Sequence, residues 1–143
     1  MRKSFVILSI LLLSLSACAN EKPIVFEQLP HAAQAFINTH FASLPIAYIE
    51  YEREGLREDY KVYFKNGTEI EFGTQGSFES VDCQRNAVPT TIITDSIQSY
   101  IAQYYPEAFV VAYSIDYRHL DVELNNGVDL VFDHAYKFIR IDD

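Results

Sequence analysis

FKNGTEIEF (residues 64–72) and LNNGVDLVF (residues 124–132) share a central Asn-Gly and a closing Phe. Before the first stands YKVYF and before the second LDVEL, and in both pairs apolar residues alternate with polar ones. Period-two alternation around a Gly turn predicts an antiparallel hairpin with one apolar and one polar face. Residues facing each other across a hairpin must share a side, and that requirement selects the loop length. A two-residue Asn-Gly loop would set Phe64 against Glu69 and Tyr63 against Ile70. A three-residue loop, Lys65-Asn66-Gly67, sets Val62 against Ile70 and Tyr60 against Phe72. It also gives Gly67 the left-handed position that follows a type I turn, where Gly is favoured. Asn125-Asn126-Gly127 fits the same geometry in the second stretch.

Working outward from the hairpins, a helix precedes each one. In LPHAAQAFINTHF (residues 29–41), Ala33, Phe36, Ile37, His40 and Phe41 form an apolar stripe at helical spacing. In VPTTIITDSIQSYIAQYYP (residues 88–106) the stripe is Ile93, Ile97, Tyr100, Ile101 and Tyr104, and Pro106 ends it. Matching Leu29-Pro30 to Val88-Pro89 leaves five extra residues near the start of the second helix. After each helix the period returns to two. IAYIEYER sets Ala47, Ile49 and Tyr51 on one side, and FVVAYSIDY does the same with Val111, Tyr113, Ile115 and Tyr117. A last strand closes each copy, in GSFESVD and YKFIRID. The expected fold is α+β: two tandem helix-plus-strand repeats, residues 24–83 and 88–143, forming one curved antiparallel sheet with both helices on one face. About sixty residues are marginal alone, so the two units are expected to share one core.

The pattern LP…FI..HF, YKVYFKNGTEIEF and GSF, echoed by YI..YYP and LDVELNNGVDLVF, resembles the PepSY-like family of exported bacterial proteins. That family is related in architecture to the β-lactamase inhibitor protein. The resemblance spans nearly all of residues 24–143. It implies tandem repeats with helices on one side of a curved sheet and the other sheet face open. No catalytic motif comes with it, and the inhibitor's contact residues have no residue-level match here.

The chain starts with basic Arg2 and Lys3, then an apolar run of eleven residues, Phe5–Leu15. The run is too short to span a bilayer, which takes ~20 residues, but it suits the hydrophobic region of an export signal. Leu15-Ser16-Ala17-Cys18 resembles a lipoprotein cleavage box. Residues 1–17 are therefore expected to be a signal peptide, Cys18 the lipidated residue, and 18–23 a polar tether. Ala19 in place of Asp points to the outer membrane. Cleavage there would leave 9 basic residues against 20 acids, a net charge of −11. Such a surface repels nucleic acid and anionic lipid, so membrane attachment is expected through the lipid. Cys83 would then be the one remaining thiol, read as a packed small hydrophobe.

The register also names the polar face. In the first copy it shows Tyr48, Glu50, Glu52, Lys61, Tyr63, Glu69 and Glu71, with Lys61 compensating Glu71. In the second it shows Asp116, Asp121, Glu123, Asp129, Val131 and Asp133, with Glu123 directly across from Asp129. Like charges facing each other on a sheet destabilise it. No Lys or Arg is expected among them. The leading function is binding, or inhibition, of a basic protein partner by this face, with Tyr48 and Tyr63 as anchors. Most of the ten tyrosines, including Tyr51, Tyr60, Tyr100, Tyr104 and Tyr113, fall on the core side. Calcium binding by the carboxylates is the alternative, and a solvated acidic face is the plain one. An enzyme is the least favoured reading, with no cofactor expected. His31, His40, His119 and His134 lack metal-ligand spacing, and no nucleophile or phosphate-loop motif occurs.

Overall fold

A computed structural model describes residues 20–142. The expected signal peptide and the lipidation site at Cys18 lie outside the described residues. Nine strands form one antiparallel sheet in chain order: β1 (Lys22–Ile24), β2 (Ile46–Glu54), β3 (Arg57–Phe64), β4 (Glu69–Phe72), β5 (Phe78–Asp82), β6 (Val110–Ile115), β7 (Leu120–Leu124), β8 (Asp129–Phe132) and β9 (Phe138–Asp142). Two helices, α1 (His31–His40) and α2 (Asp95–Tyr104), precede β2 and β6. The fold is thus mixed, as expected. β1 takes Lys22 and Pro23 out of the expected tether, because they pair with Tyr51 and Glu50 of β2.

Both hairpins take the three-residue form. Val62 pairs with Ile70 and Tyr60 with Phe72, and Val122 pairs with Leu130 in the second. Gly67 and Gly127 stand at φ +90° and +83°, and each donates its N–H to the carbonyl three residues back, Phe64 and Leu124. Asn66 and Asn126 brace the turns alike: each Oδ1 accepts the N–H two residues on. The amide side chain thus does locally what a ladder bond cannot do in a turn.

The core gathers Val62, Ile70, Val81, Tyr113, Val122 and Leu130 from successive strands with Ala33, Ile37, Ile97 and Ile101 from the helices. Phe36 of α1 meets Phe72 edge-on at 5.5 Å, and Tyr100 of α2 meets Phe132 edge-on at 5.4 Å. The start of α2 corrects the Leu-Pro to Val-Pro matching. Residues 90–92 form a separate 3-10 turn, and the helix begins after Thr94. The residue answering to buried Leu29 is buried Ile93: Gln34 Nε2 donates to Leu29 O at 2.8 Å, and Gln98 Nε2 donates to Ile93 O at 2.6 Å. A 3-10 turn precedes each of these residues, Phe26–Gln28 and Thr90–Ile92, so the five extra residues disappear once Leu29 is matched to Ile93.

One stripe position differs from expectation. Tyr104, expected on the core side, is 57% exposed. His40 is half-buried, as a packed helix residue should be, with its ring 4.6 Å from that of Phe36 and Nδ1 2.8 Å from Thr91 Oγ1. His40 and Tyr104 are the last residues of their helices. Tyr117 is also exposed, because β6 stops at Ile115 and the chain turns. Cys83 is buried, and burial pushes its thiol pKa up, which suits a packing role.

Candidate functional site

On the polar face the cross-strand pairs set the chemistry. Lys61 stands opposite Glu71, and Tyr63 opposite Glu69. Tyr48 pairs with Tyr63 across β2 and β3, and their rings stack at 4.3 Å with planes 20° apart. A bulge between Ile46 and Tyr48 precedes this pair. Tyr48 is 51% exposed, so a broad aromatic surface faces outward. Burial beside Glu69 and Glu50 pushes the Tyr63 phenol pKa upward, and the ring stays neutral. Arg57 joins Asp59 at 2.9 Å and Glu79 at 3.1 Å, which adds to the compensation of this half.

The second half holds a depression of about 310 Å³. Ser80, Ala112 and Ser114 line it together with the carboxylates of Asp82, Asp121, Glu123, Asp129 and Asp142. Register explains the shape. Small residues pair across the middle of the sheet, Ser80 with Ser114 and Asp82 with Ala112. Next to them come Asp121 opposite Ser114, Glu123 opposite Ala112, and Asp129 opposite both Glu123 and Asp142. A low floor is ringed by acids from β5, β7, β8 and β9. Partial burial, with Asp116 and Asp142 adding to it, raises the Asp121 pKa, while His119 pulls it back. Asp142 is held below the usual carboxylate range by Arg140, 2.8 Å away.

The structure brings together Asp121, Glu123 and Asp129 of the expected site and keeps Tyr48 and Tyr63 together in the other half. Asp116 and Asp133 serve elsewhere, as turn formers. Asp116 Oδ1 accepts the N–H groups of Arg118 and His119, and Asp133 Oδ1 accepts those of Ala135 and Lys137. The backbone donors hold the Asp116 pKa down. Val131, expected as part of the exposed set, is fully buried between its register neighbours Asp121 and Arg140. Arg140 also corrects the expectation of no basic residue among the acids. Asp82, Asp142 and Arg140 were missed because bulges follow Phe78 and Phe138, so alternation counted from those Phe residues assigns the wrong faces.

His119 belongs to this region as well. The turn after β6 folds its ring between two carboxylates, Nε2 lying 3.4 Å from Asp121 and Nδ1 3.8 Å from Asp116. One ligand atom from each residue lies within 4.8 Å of the others. The nitrogen donor fits a transition metal better than calcium, and Asp116 Oδ1 is already engaged by the turn. The oxygen-only depression is the better match to a hard cation or to an ammonium group.

Residues 58–140 match the family model described as beta-lactamase-inhibitor-like, PepSY-like. The chain belongs to the PepSY-like family. Three solved structures resemble this PepSY-like protein closely. A protein from Bacteroides thetaiotaomicron, described as calcium-regulated and periplasmic, is 38% identical with a TM-score of 0.83, covering 87% of this chain and 98% of its own. A Bacteroides vulgatus protein of the DUF2874 family, described as periplasmic, is 36% identical with a TM-score of 0.83 and the same coverage. A second Bacteroides vulgatus protein, described as periplasmic and of unknown function, is 28% identical with a TM-score of 0.81, covering 86% of this chain and 99% of its own. No curated protein is similar to the chain.

Proposed function

We propose that this PepSY-like protein is a non-enzymatic, lipid-anchored envelope protein whose polar sheet face binds a basic protein partner. The architecture behind the proposal is a tandem repeat, residues 24–83 and 88–143, with both helices on one side of a curved sheet. In support, Leu29 with Gln34 and Ile93 with Gln98 start the two helices alike, and Phe36 and Tyr100 meet the Phe that ends β4 and β8 respectively. The periplasmic description of the related structures supports an envelope location.

The observation that carries the reading is the depression floored by Ser80, Ala112 and Ser114 and ringed by five carboxylates. A Lys or Arg side chain entering it would meet acids from four strands while small side chains leave room for its stem. The stacked Tyr48 and Tyr63 offer the aromatic surface that commonly anchors protein contacts. A chain carrying 20 acids against 11 basic residues repels nucleic acid and speeds encounter with a cationic partner. The depression is shallow, which suits charge pairing more than chemistry on an enclosed substrate.

The test is photo-crosslinking in the native envelope from a probe at position 63. A captured protein should be lost when Glu123→Lys and Asp129→Lys are combined, with expression unchanged. Capture that survives both reversals rejects the acidic face. Anchoring is read separately, as loss of lipid labelling in Cys18→Ser.

A second reading is calcium binding by the same carboxylates, favoured by the calcium-regulated description of the 38% identical relative. Its sign is a rise in Tm with millimolar calcium that Glu123→Gln with Asp129→Asn removes. A flat response discards it.

A further inference from the structure

The two edges of the sheet are built differently. β1 has three residues and carries Lys22 and Pro23, both of which discourage an added strand. β9, at the other edge, has five residues without Lys or Pro, and its Ile141 is 48% exposed. Hydrogen bonds on β8 show which backbone groups β9 leaves free. Leu124 N–H donates to Val128 O, so Val128 faces β7, whereas Asp133 N–H donates to Lys137 O, on the β9 side. Alternation then turns Asp129 and Val131 toward β9, and Leu130 toward β7. Ile141 stands opposite Leu130, so its own N–H and C=O point outward from the edge. Arg140 and Asp142 flank it, both on the polar face, 2.8 Å apart.

We propose that β9 is a self-pairing edge, joining antiparallel to β9 of a second copy about a twofold axis at Ile141. The proposal does not rest on the partner-binding reading, although Asp142 also rims the depression. At that axis each Ile141 exchanges both backbone hydrogen bonds with the partner's Ile141. The same register sets Arg140 against the partner's Asp142, twice by symmetry, on the polar face. An edge that reads Arg-Ile-Asp is complementary to itself in this register. Centring on Arg140 or on Asp142 would place like charges opposite each other and offer backbone groups that already face β8. Charge and hydrogen-bond direction therefore select the same axis. Ile141 would also gain an apolar neighbour across the edge, with Phe138 on the same side of the sheet. Two copies would then share one continuous sheet.

The experiment uses the chain with Cys18→Ser, so that buried Cys83 is the sole native thiol. Sedimentation equilibrium from micromolar to millimolar concentration should show a monomer–dimer equilibrium. Arg140→Asp alone or Asp142→Arg alone should weaken the dimer about tenfold, because each turns two attractive pairs into repulsive ones. The exchanged double variant should return to within about threefold of the parent. Under mild oxidation Ile141→Cys should form a disulfide-linked dimer, since a hydrogen-bonded pair holds its Cα atoms ~5.5 Å apart, within disulfide range. Ile139→Cys, away from the axis, should not. The cysteine variants keep both charges, so they decide the matter even if a charge reversal unfolds the chain. A monomer up to millimolar concentration, a double exchange that fails to restore pairing, or equal crosslinking at 139 and 141 overturns the proposal.

Discussion

Gly76 and Tyr136 both hold left-handed backbone, φ +78° and +62°, each two residues before the Phe that opens the next strand. Their surroundings separate them. A Cβ at position 76 would lie 2.8 Å from Pro30 Cβ and 2.9 Å from the Ala33 nitrogen, so the loop presses on the start of α1. Tyr136 carries a full side chain and is 40% exposed. Gly76→Ala is expected to cost about 2–4 kcal/mol, from an unfavourable φ together with a steric clash. Tyr136→Ala keeps the same backbone and should cost less than half as much. Urea denaturation of the two variants checks the difference, and equal losses would show that α1 yields where it meets the loop. Sequence could not distinguish these positions, because the contact that makes glycine obligatory comes from a helix over forty residues away.

The hairpins β3–β4 and β7–β8 show how far local rules reach. Register, loop length and the positive φ of Gly67 and Gly127 followed from alternation and the need for facing residues to share a side. Gly67→Ala and Gly127→Ala should each cost about 1 kcal/mol, since an added Cβ meets only the Gln84 side chain at 3.6 Å or nothing. Close agreement between the two in chemical denaturation is the expected outcome; a several-fold disparity would mean the turns are not equivalent. Leu130→Ala, in the middle of β8 with the side chain fully buried, should cost about 2–5 kcal/mol. The closing strands β5 and β9 were read as strands but not by face. A bulge inserts one residue and reverses the parity beyond it, and no composition signal marks it. For the same reason Asp82, Asp142 and Arg140 were invisible in the acidic site while Asp121, Glu123 and Asp129 were legible.

For the molecule as a whole, acids crowd one surface and their titration should govern stability. Partial burial raises the carboxyl pKa values of Glu69, Glu79 and Asp121. A carboxyl whose folded pKa lies above its unfolded one favours the fold when protonated, and that contribution is lost as pH rises through the folded value. Acidification from neutrality toward pH ~5 should therefore raise Tm, helped by relief of charge repulsion. Asp116 and Asp142 have the opposite sign. Their lowered pKa values favour the fold when ionised, and that benefit disappears below pH ~4. Thermal melts across pH should pass through a maximum on the acid side of neutrality. Asp121→Asn should flatten the neutral-side slope, and a Tm that falls steadily from pH 7 would contradict the sign of these shifts.

Period-two and helical spacing dictated the two helices, strands β2 to β9 and the pairing within each hairpin, because those depend on residues a few positions apart. The membership of the PepSY-like family was legible for the same reason: its signature is a pattern of apolar and turn residues. Only the tertiary structure placed Ser80 beside Ser114 and set Arg140 among the acids, because strands distant in the chain meet there. It also turned Asp116 and Asp133 from surface carboxylates into turn braces. Where a carboxylate finds backbone N–H groups depends on the path the chain takes after it, and alternation carries no record of that path.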